Sequence, residues 1–292
     1  MLGQALWPSD LAMPVDPFDV VNFLPHLEKV ARSAGDIALR FFNPGERTSA
    51  VVSYKSGGSP VTEADLLVDR FLVQEMRRLT PKAAWLSEES TDSDARLTNH
   101  QLIIVDPIDG TTAFARGDSR WAISIAYIVA GQPIAGVVHA PALDETFTAA
   151  VGQGAFLNGR QLVAPGRNTL ASAAIVAPKS MHPALQRTVH NFILAPRAPS
   201  LALRLADVAA GRHDLVIAAP NSRDWDIAAA DIILREAGSF LSELDEAPLV
   251  YNRARVTRGM LIAAPAPLFN ETRALVIAAS EGDPTYDADG GK

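Results

Sequence analysis

Strands and helices that mix without strict alternation predict an α+β or layered fold built on two sheets. Three observations carry this expectation. Two amphipathic helical stretches open the chain, a succession of short apolar runs broken by Gly and Pro follows, and the remainder passes back and forth between the two patterns. From Asp19 to Phe42, the residues Val20, Phe23, Leu24, Leu27, Val30, Ala31, Ala34, Ile37, Ala38 and Phe41 keep a helical beat, and Asn43-Pro-Gly45 stops it. A second helix is expected from about Thr62 to Leu79, with Thr62 as its N-cap, Asp65 in its first turn and Pro81 as its stop. Apolar runs at Ala83–Leu86, Gln101–Val105, Ala122–Val129, Pro133–His139 and Thr146–Ala150 read as successive strands between Gly and Pro turns. A strand at Ser172–Ala177 opens the second half. Helices are expected there near His182–Phe192, Ser200–Gly211 and Asp226–Ala237, strands near Leu215–Ala218 and Gly259–Ala263, and a last helix through Leu275. The seam near Asn158–Asn168 separates an N-terminal half, 19–160, from a C-terminal half, 161–280. An extension at 1–18 and a polar, frayed tail at 281–292 flank them.

Composition narrows the function classes. The chain has 292 residues, of which 48% are hydrophobic and 20% charged, enough for a large core and too apolar for disorder. With 26 Lys and Arg against 33 Asp and Glu, the net charge is −7, the wrong sign for a protein that draws its affinity from a phosphate backbone, so long nucleic acid is not an expected partner. The absence of cysteine removes disulfides, thiolate metal sites and thiol nucleophiles together, and fits a reducing cytoplasm. Any metal must be held by oxygen or imidazole. The most apolar region, Trp121–Ala140, is cut by Ser124, Gly131, Gln132 and Pro133, well short of the roughly 18 unbroken apolar residues of a membrane span. The first dozen residues lack the basic start and apolar segment of a signal peptide, and Met13 offers an alternative start.

The chemistry-bearing segments are Lys55-Ser-Gly-Gly-Ser-Pro-Val-Thr-Glu-Ala-Asp65, Trp85-Leu-Ser-Glu-Glu89, Ile104-Val-Asp-Pro-Ile-Asp-Gly-Thr-Thr112 and Asp224-Trp-Asp226. Each sets an acid at the edge of an apolar element. Glu88 and Glu89 follow a strand, Asp106 ends the strand Leu102–Val105, and Asp226 opens a helix with a core-like face. Asp106 and Asp109 bracket Pro107, whose fixed bend allows both carboxylates and one carbonyl to face a single point. Mg²⁺ prefers such an oxygen set, completed by waters and substrate phosphate. Gly110-Thr111-Thr112 follows at once, and at a helix start these residues offer free backbone N–H groups to a phosphate. Taken singly, each feature has a plainer use. Asp226 would be a helix cap, Glu88-Glu89 a solvated loop, and Asp69 or Glu75 a wet helix face. Four such segments in one chain change that balance.

These segments resemble the inositol monophosphatase superfamily of Mg²⁺-dependent, lithium-sensitive phosphatases, with signatures of the form D-P-I-D-G-T-x-x-F and W-D-x-A-A. The chain reads Asp106-Pro-Ile-Asp-Gly-Thr-Thr-Ala-Phe114 and Trp225-Asp-Ile-Ala-Ala229, and Pro60-Val-Thr-Glu-Ala-Asp65, Ser87-Glu-Glu89 and Gly152-Gln-Gly-Ala-Phe-Leu-Asn-Gly159 also match. The resemblance runs from about Asp19 to Ala279. It implies a layered α/β/α/β/α sandwich of the inositol-monophosphatase/fructose-bisphosphatase type, with the active site between the halves. It further implies Glu88, Asp106, Asp109, Asp226 and the Ile108 carbonyl as ligands of more than one Mg²⁺, inhibition by Li⁺, and Asp65 with Thr111 activating the attacking water. The amides of Gly110, Thr111 and Thr112 would hold phosphate, Glu89 would stand behind the ligands, and the assembly would be a homodimer, for which the apolar region Trp121–Val138 is the expected interface.

Substrate choice is less legible. Inositol-specific members resemble each other in a glutamate seven residues before the W-D aspartate, and that position here is Ala219. The branch that removes a phosphate from 3′-phosphoadenosine 5′-phosphate tends to carry an acid directly before W-D, as Asp224 does. The stretch Arg197-Ala-Pro-Ser-Leu-Ala-Leu departs from a more usual R-x-x-G-S/T-A, placing Pro199 and Leu201 beside Ser200 in the expected leaving-group pocket. Ser200, Ala219 and Asp224 are therefore the expected substrate residues. A small phosphorylated metabolite is expected, either inositol monophosphate or a nucleotide 3′-phosphate, ahead of histidinol phosphate and sugar bisphosphates. The rival of another class is a non-catalytic member that binds a phosphometabolite or a partner subunit. Gly152-x-Gly lacks the third glycine of a dinucleotide loop, and the six histidines show no metal-ligand spacing.

Overall fold

The computed structural model describes residues 20–281 apart from 165, 168, 190 and 245–247. The expected extension at 1–18 lies outside the described residues, as does the expected tail except for Glu281. Helices α1 (Val20–Leu39) and α2 (Glu63–Leu79) follow the expected beats, and β1 (Val52–Tyr54) pairs with β2 (Pro60–Thr62) between them. Thr62 caps α2. Its Oγ1 accepts from the Asp65 amide while the Asp65 carboxylate accepts from the Thr62 amide, which fixes Asp65 before any function is asked of it.

The first sheet runs in chain order through β3 (Ala84–Ser87), β4 (Gln101–Asp109), β5 (Ala122–Val129), β6 (Gln132–Ala140), β7 (Glu145–Ala150), β8 (Gly154–Leu157) and β9 (Arg160–Leu162). Only β3 and β4 are parallel in it. The short helix α3 (Thr111–Arg116) leaves the end of β4. The second sheet comprises β10 (Ala174–Val176), β11 (Ile193–Leu194), β12 (Leu215–Ala218), β13 (Ser239–Glu243) and β14 (Leu261–Pro265), in the order β11-β10-β12-β14-β13. Helices α4 (His182–Thr188), α5 (Leu201–Ala209), α6 (Asp224–Ala237) and α7 (Phe269–Glu281) complete it.

Side-chain alternation along the strands builds the layers. On β4, Ile103 and Val105 face Leu27, Ala31, Val68 and Leu72 of α1 and α2. Leu102 and Ile104 face the opposite way, into a core shared with Leu205 of α5, Ile227 and Ile232 of α6, and Val216 and Ala263 of the second sheet. Leu215, Ile217 and Ile262 turn outward from that sheet against Leu185 of α4 and Leu275 and Val276 of α7. The fold is thus an α/β/α/β/α sandwich. Sheets covered on both faces explain why the central strands read as unbroken apolar runs rather than alternating ones.

Several local expectations change. β4 does not stop at Val105 but continues to Asp109, with a register shift between Asp106 and Asp109 where Pro107 cannot donate to the ladder. Helix α6 begins two residues before Asp226, at Asp224. Asp69 is not on a wet face: it is buried, and its carboxylate accepts from Ser87 and Ser90 at 2.6 and 3.0 Å. The apolar region Trp121–Val138 presents no broad face to a second copy, because every residue of β5 and nearly all of β6 is buried within the chain. Among the described residues, no helix is long and apolar enough to cross a membrane.

Candidate active site

Strand direction gathers the acids. β3 and β4 run parallel with Ser87 beside Val105, so Glu88 and Asp106 leave neighbouring strands at the same edge, and the Glu88 amide donates to the Val105 carbonyl at 3.3 Å. The bulge carries Asp109 back to that edge, and the Asp106 carboxylate accepts from the Ile108 amide at 3.0 Å. Asp226 comes from the other side of the cavity. Ser124 on β5 donates to the Trp225 carbonyl at 3.2 Å, tying the start of α6 to the first sheet, and the Arg223 amide donates to the Asp226 carboxylate at 2.7 Å. Carboxylate oxygens of Asp106, Asp109 and Asp226 lie within 4.8 Å of one another. They face a cavity of about 380 Å³, also lined by Glu88 and by Gly110, Thr111 and Thr112.

Electrostatics of the cluster follow from burial. Desolvation first, then Glu88, Asp109 and Asp226, push the Asp106 carboxyl well above the ordinary carboxylate range. Asp226 is raised likewise by burial and then by Asp109. Burial raises Asp109 to about 6, against the opposing hydrogen bonds from Ser200 Oγ and the Ala202 amide, both 2.6 Å. Acids that repel one another in a desolvated cleft form a donor set made for a hard cation.

Behind the cluster, the Thr111 hydroxyl lies 3.1 Å from the Asp65 carboxylate and 3.0 Å from the Ile108 carbonyl. Thr62 donates to the other oxygen of Asp65 through both its amide and its hydroxyl. Burial raises Asp65 to about 6, these hydrogen bonds holding it lower than burial alone would. Gly110 sits at φ +93°, and a Cβ there would approach the Ser200 amide to 3.2 Å, so this corner of the cradle favours glycine.

The other expected positions fall in different places. Ile108 is fully buried and does not line the cavity. Ala219 does line it, between Ala218 and Pro220. Ser200 is wholly buried; its hydroxyl donates to Asp109 and accepts from the Leu203 amide as the N-cap of α5, so it orients an acid rather than meeting substrate. Asp224 is also turned away. Its carboxylate is fully buried against the Arg258 guanidinium at 2.7 Å, out of the cavity. Glu89 accepts from Lys55 Nζ at 2.8 Å, and the same ammonium reaches Glu88 at 2.7 Å. In the sequence Lys55 only opens the segment Lys55–Asp65, five residues ahead of the part that matches the family. Arg204, which also lines the cavity, has as its only sequence signal a lone arginine within Leu201-Ala-Leu-Arg-Leu-Ala206.

Known proteins resemble this chain over most of its length. The model of the inositol monophosphatase family matches residues 19–278. An inositol-1-monophosphatase of Mesorhizobium japonicum is 36% identical over 259 residues, covering 82% of this chain and 95% of that one. A 3′(2′),5′-bisphosphate nucleotidase CysQ of Aggregatibacter actinomycetemcomitans is 32% identical, covering 81% and 90%. Among solved structures, an IMPase of Thermotoga maritima superposes with a TM-score of 0.76 at 30% identity, over 89% of this chain and 98% of that one. With the family pattern spanning both sheets and its acidic segments converging on one cavity, the chain belongs to the inositol monophosphatase family.

Proposed function

We propose that this chain is a Mg²⁺-dependent phosphomonoesterase that hydrolyses a small phosphorylated metabolite with water, forming no covalent enzyme intermediate. The observation that carries this reading is the convergence of Asp106, Asp109 and Asp226 within 4.8 Å on a cavity also lined by Thr111, whose hydroxyl lies 3.1 Å from the Asp65 carboxylate. With Glu88 beside them, these carboxylates fit a hard divalent cation, since their mutual repulsion leaves the site short of positive charge. When bound, Mg²⁺ supplies Lewis-acid charge to a phosphoryl group and makes water more acidic.

The chain's own residues supply the rest. The first amides of α3 have no acceptor within the helix and hold the non-bridging phosphoryl oxygens. With its proton directed to Asp65, the Thr111 hydroxyl offers a lone pair to a water, and Asp65 takes up the proton that passes through it. The water oxygen bonds to phosphorus, the ester P–O bond breaks, and the leaving alkoxide takes a proton from solvent water to become an alcohol while Asp65 gives its proton back to solvent. Cavity volume supports a small substrate, at the lower end of metabolite pockets.

Release of inorganic phosphate from inositol 1-phosphate, 3′-phosphoadenosine 5′-phosphate, histidinol phosphate and fructose 1,6-bisphosphate, with Mg²⁺ and with chelator, tests the proposal. Turnover of at least one ester that chelator abolishes is expected. Binding of these esters with no release would turn the reading into the non-catalytic alternative.

A further inference from the structure

The buried acids differ in what holds them. Asp109 accepts from Ser200 and Ala202, and Asp65 from Thr62. Among the described residues, the one hydrogen bond to the Asp226 carboxylate comes from the Arg223 amide, as the cap of its own helix. A carboxylate that must also face a cation is a poor sole anchor for a helix start. A second anchor lies two residues earlier, outside the cavity. Asp224 Oδ1 accepts from both Nε and Nη2 of Arg258, at 2.7 Å each, with both side chains wholly buried. Arg258 Nη2 also donates to the Val250 carbonyl at 2.8 Å, and its guanidinium lies 5.0 Å from the Tyr251 ring centre. The main chain continues the attachment. The amides of Asn221 and Asp224 donate to the carbonyls of Arg258 and Val256, and the Arg258 amide donates to the Ser222 carbonyl, all at 2.9 Å.

The same segment reaches the opposite side of the site. Arg96 Nη1 donates to Asn252 Oδ1 and to the Arg253 carbonyl, at 3.1 and 3.0 Å. Its Nε and Nη2 donate to Asp92, four residues beyond Glu88, at 2.6 and 2.8 Å. Residues 250–258 thus join the loop that carries Glu88 to the helix that carries Asp226. A buried ion pair adds little net stability, since desolvation of both charges offsets their attraction. It does fix geometry, because the rigid fork of Arg258 meets Asp224 and the Val250 carbonyl in one orientation. We propose that residues 250–258 brace the cation site from outside the cavity, with Arg258 as the positioning residue that, through Asp224, holds Asp226 in place beside Asp106 and Asp109. The proposal rests on the Mg²⁺ reading above for what Asp226 binds.

Calorimetric titration of Mg²⁺ alone into the substrate-free protein tests the brace without turnover. Arg258→Met should raise the Kd about 10- to 100-fold, the range for an outer partner of a metal ligand. Arg258→Lys, which keeps the charge, should recover part of that loss. Because Arg258→Met leaves Asp224 buried and unpaired, the double variant Asp224→Asn with Arg258→Met is titrated as well. Removing both charges should return the melting temperature toward the parent while the Kd stays raised. Tyr251→Phe is the control from the same segment. It keeps the ring beside Arg258 and loses only the hydroxyl that donates to Asp231 at 2.9 Å, so it should melt lower with the parental Kd. A Kd that recovers along with the melting temperature in the double variant, or that rises as much in Tyr251→Phe, overturns the brace and makes the pair a stability element. A parental Kd in every Arg258 variant overturns it too. A parent that binds no Mg²⁺ overturns the cation reading and the brace together, which sets that failure apart from the others.

Discussion

Asp109 is held by two donors from α5, and its place in the acid cluster makes it the residue whose loss separates function from fold. Asp109→Asn keeps an oxygen for the Ser200 hydroxyl and the Ala202 amide while removing one of the buried like charges. Turnover should drop by more than the roughly 10- to 100-fold that losing a supporting partner of a metal ligand costs. Melting of the cation-free protein should be unchanged or slightly raised, because one repulsion is gone. Near-parental turnover would remove Asp109 from the metal site. Thr111 sets a different test, since its hydroxyl alone joins the cavity to Asp65. Thr111→Val should lower kcat by about 10²- to 10⁴-fold with a much smaller change in KM, whereas Thr111→Ser should restore most of it. Equal kcat values for the valine and serine variants would take the hydroxyl out of the proton path.

Helix α6 delivers Asp226, and its approach to the first sheet depends on a glycine in β6. A Cβ at Gly136 would lie 2.6 Å from Ile232 Cγ2 and 2.8 Å from the Ala229 carbonyl, both on α6. Gly136→Ala must push the helix outward, at about 1–3 kcal/mol for an overpacked core, and should lower kcat/KM as Asp226 shifts. Gly166→Ala meets nothing within 4 Å and serves as the control, with melting and activity at the parental level. A Gly136→Ala protein as active as that control would show that the Asp226 position tolerates the shift. This dependence was not legible in the sequence, where Gly136 is simply one small residue in an apolar strand. Local signals were legible. The Thr62 cap, the long apolar strands and the Asp106–Asp109 bend all depend on neighbours within a few residues. What escaped depends on distant segments. Ser200 reaches Asp109 across 91 positions, Asp224 pairs with Arg258 across 34, and Asp69 is covered by Ser87, at the end of β3, and by Ser90 just beyond it. The hairpin β1–β2 and the edge strand β11 are too short to leave a periodic trace. β13, Ser239-Phe-Leu-Ser-Glu243, has only two adjacent apolar residues and keeps no strand period.

At the scale of the whole molecule, the acid cluster links stability to pH and to cation. Carboxyls raised in the folded state bind protons more readily there than in the unfolded chain. Their stabilising effect is therefore complete below the unfolded value near 4 and is lost as pH rises through about 6 for Asp65 and Asp109 and about 7 for Glu89. His139 acts with the opposite sign. Burial lowers it to about 4, so it costs stability only as pH falls below its unfolded value near 6.5. Between about pH 8 and pH 6.5 the carboxyls dominate, and the cation-free protein should melt at a higher temperature at the lower pH. Mg²⁺ competes with those protons for the same oxygens. At a concentration about 100 times its Kd it adds about 2.7 kcal/mol, on the order of 5 °C for a chain of this size. That increment should be largest near pH 8, shrink near pH 6.5, and be much reduced in Asp106→Ala. Thermal melts at both pH values, with Mg²⁺ and with chelator, read it directly. A Mg²⁺ increment that is absent, or that grows as pH falls, would mean that the cluster holds no cation in solution.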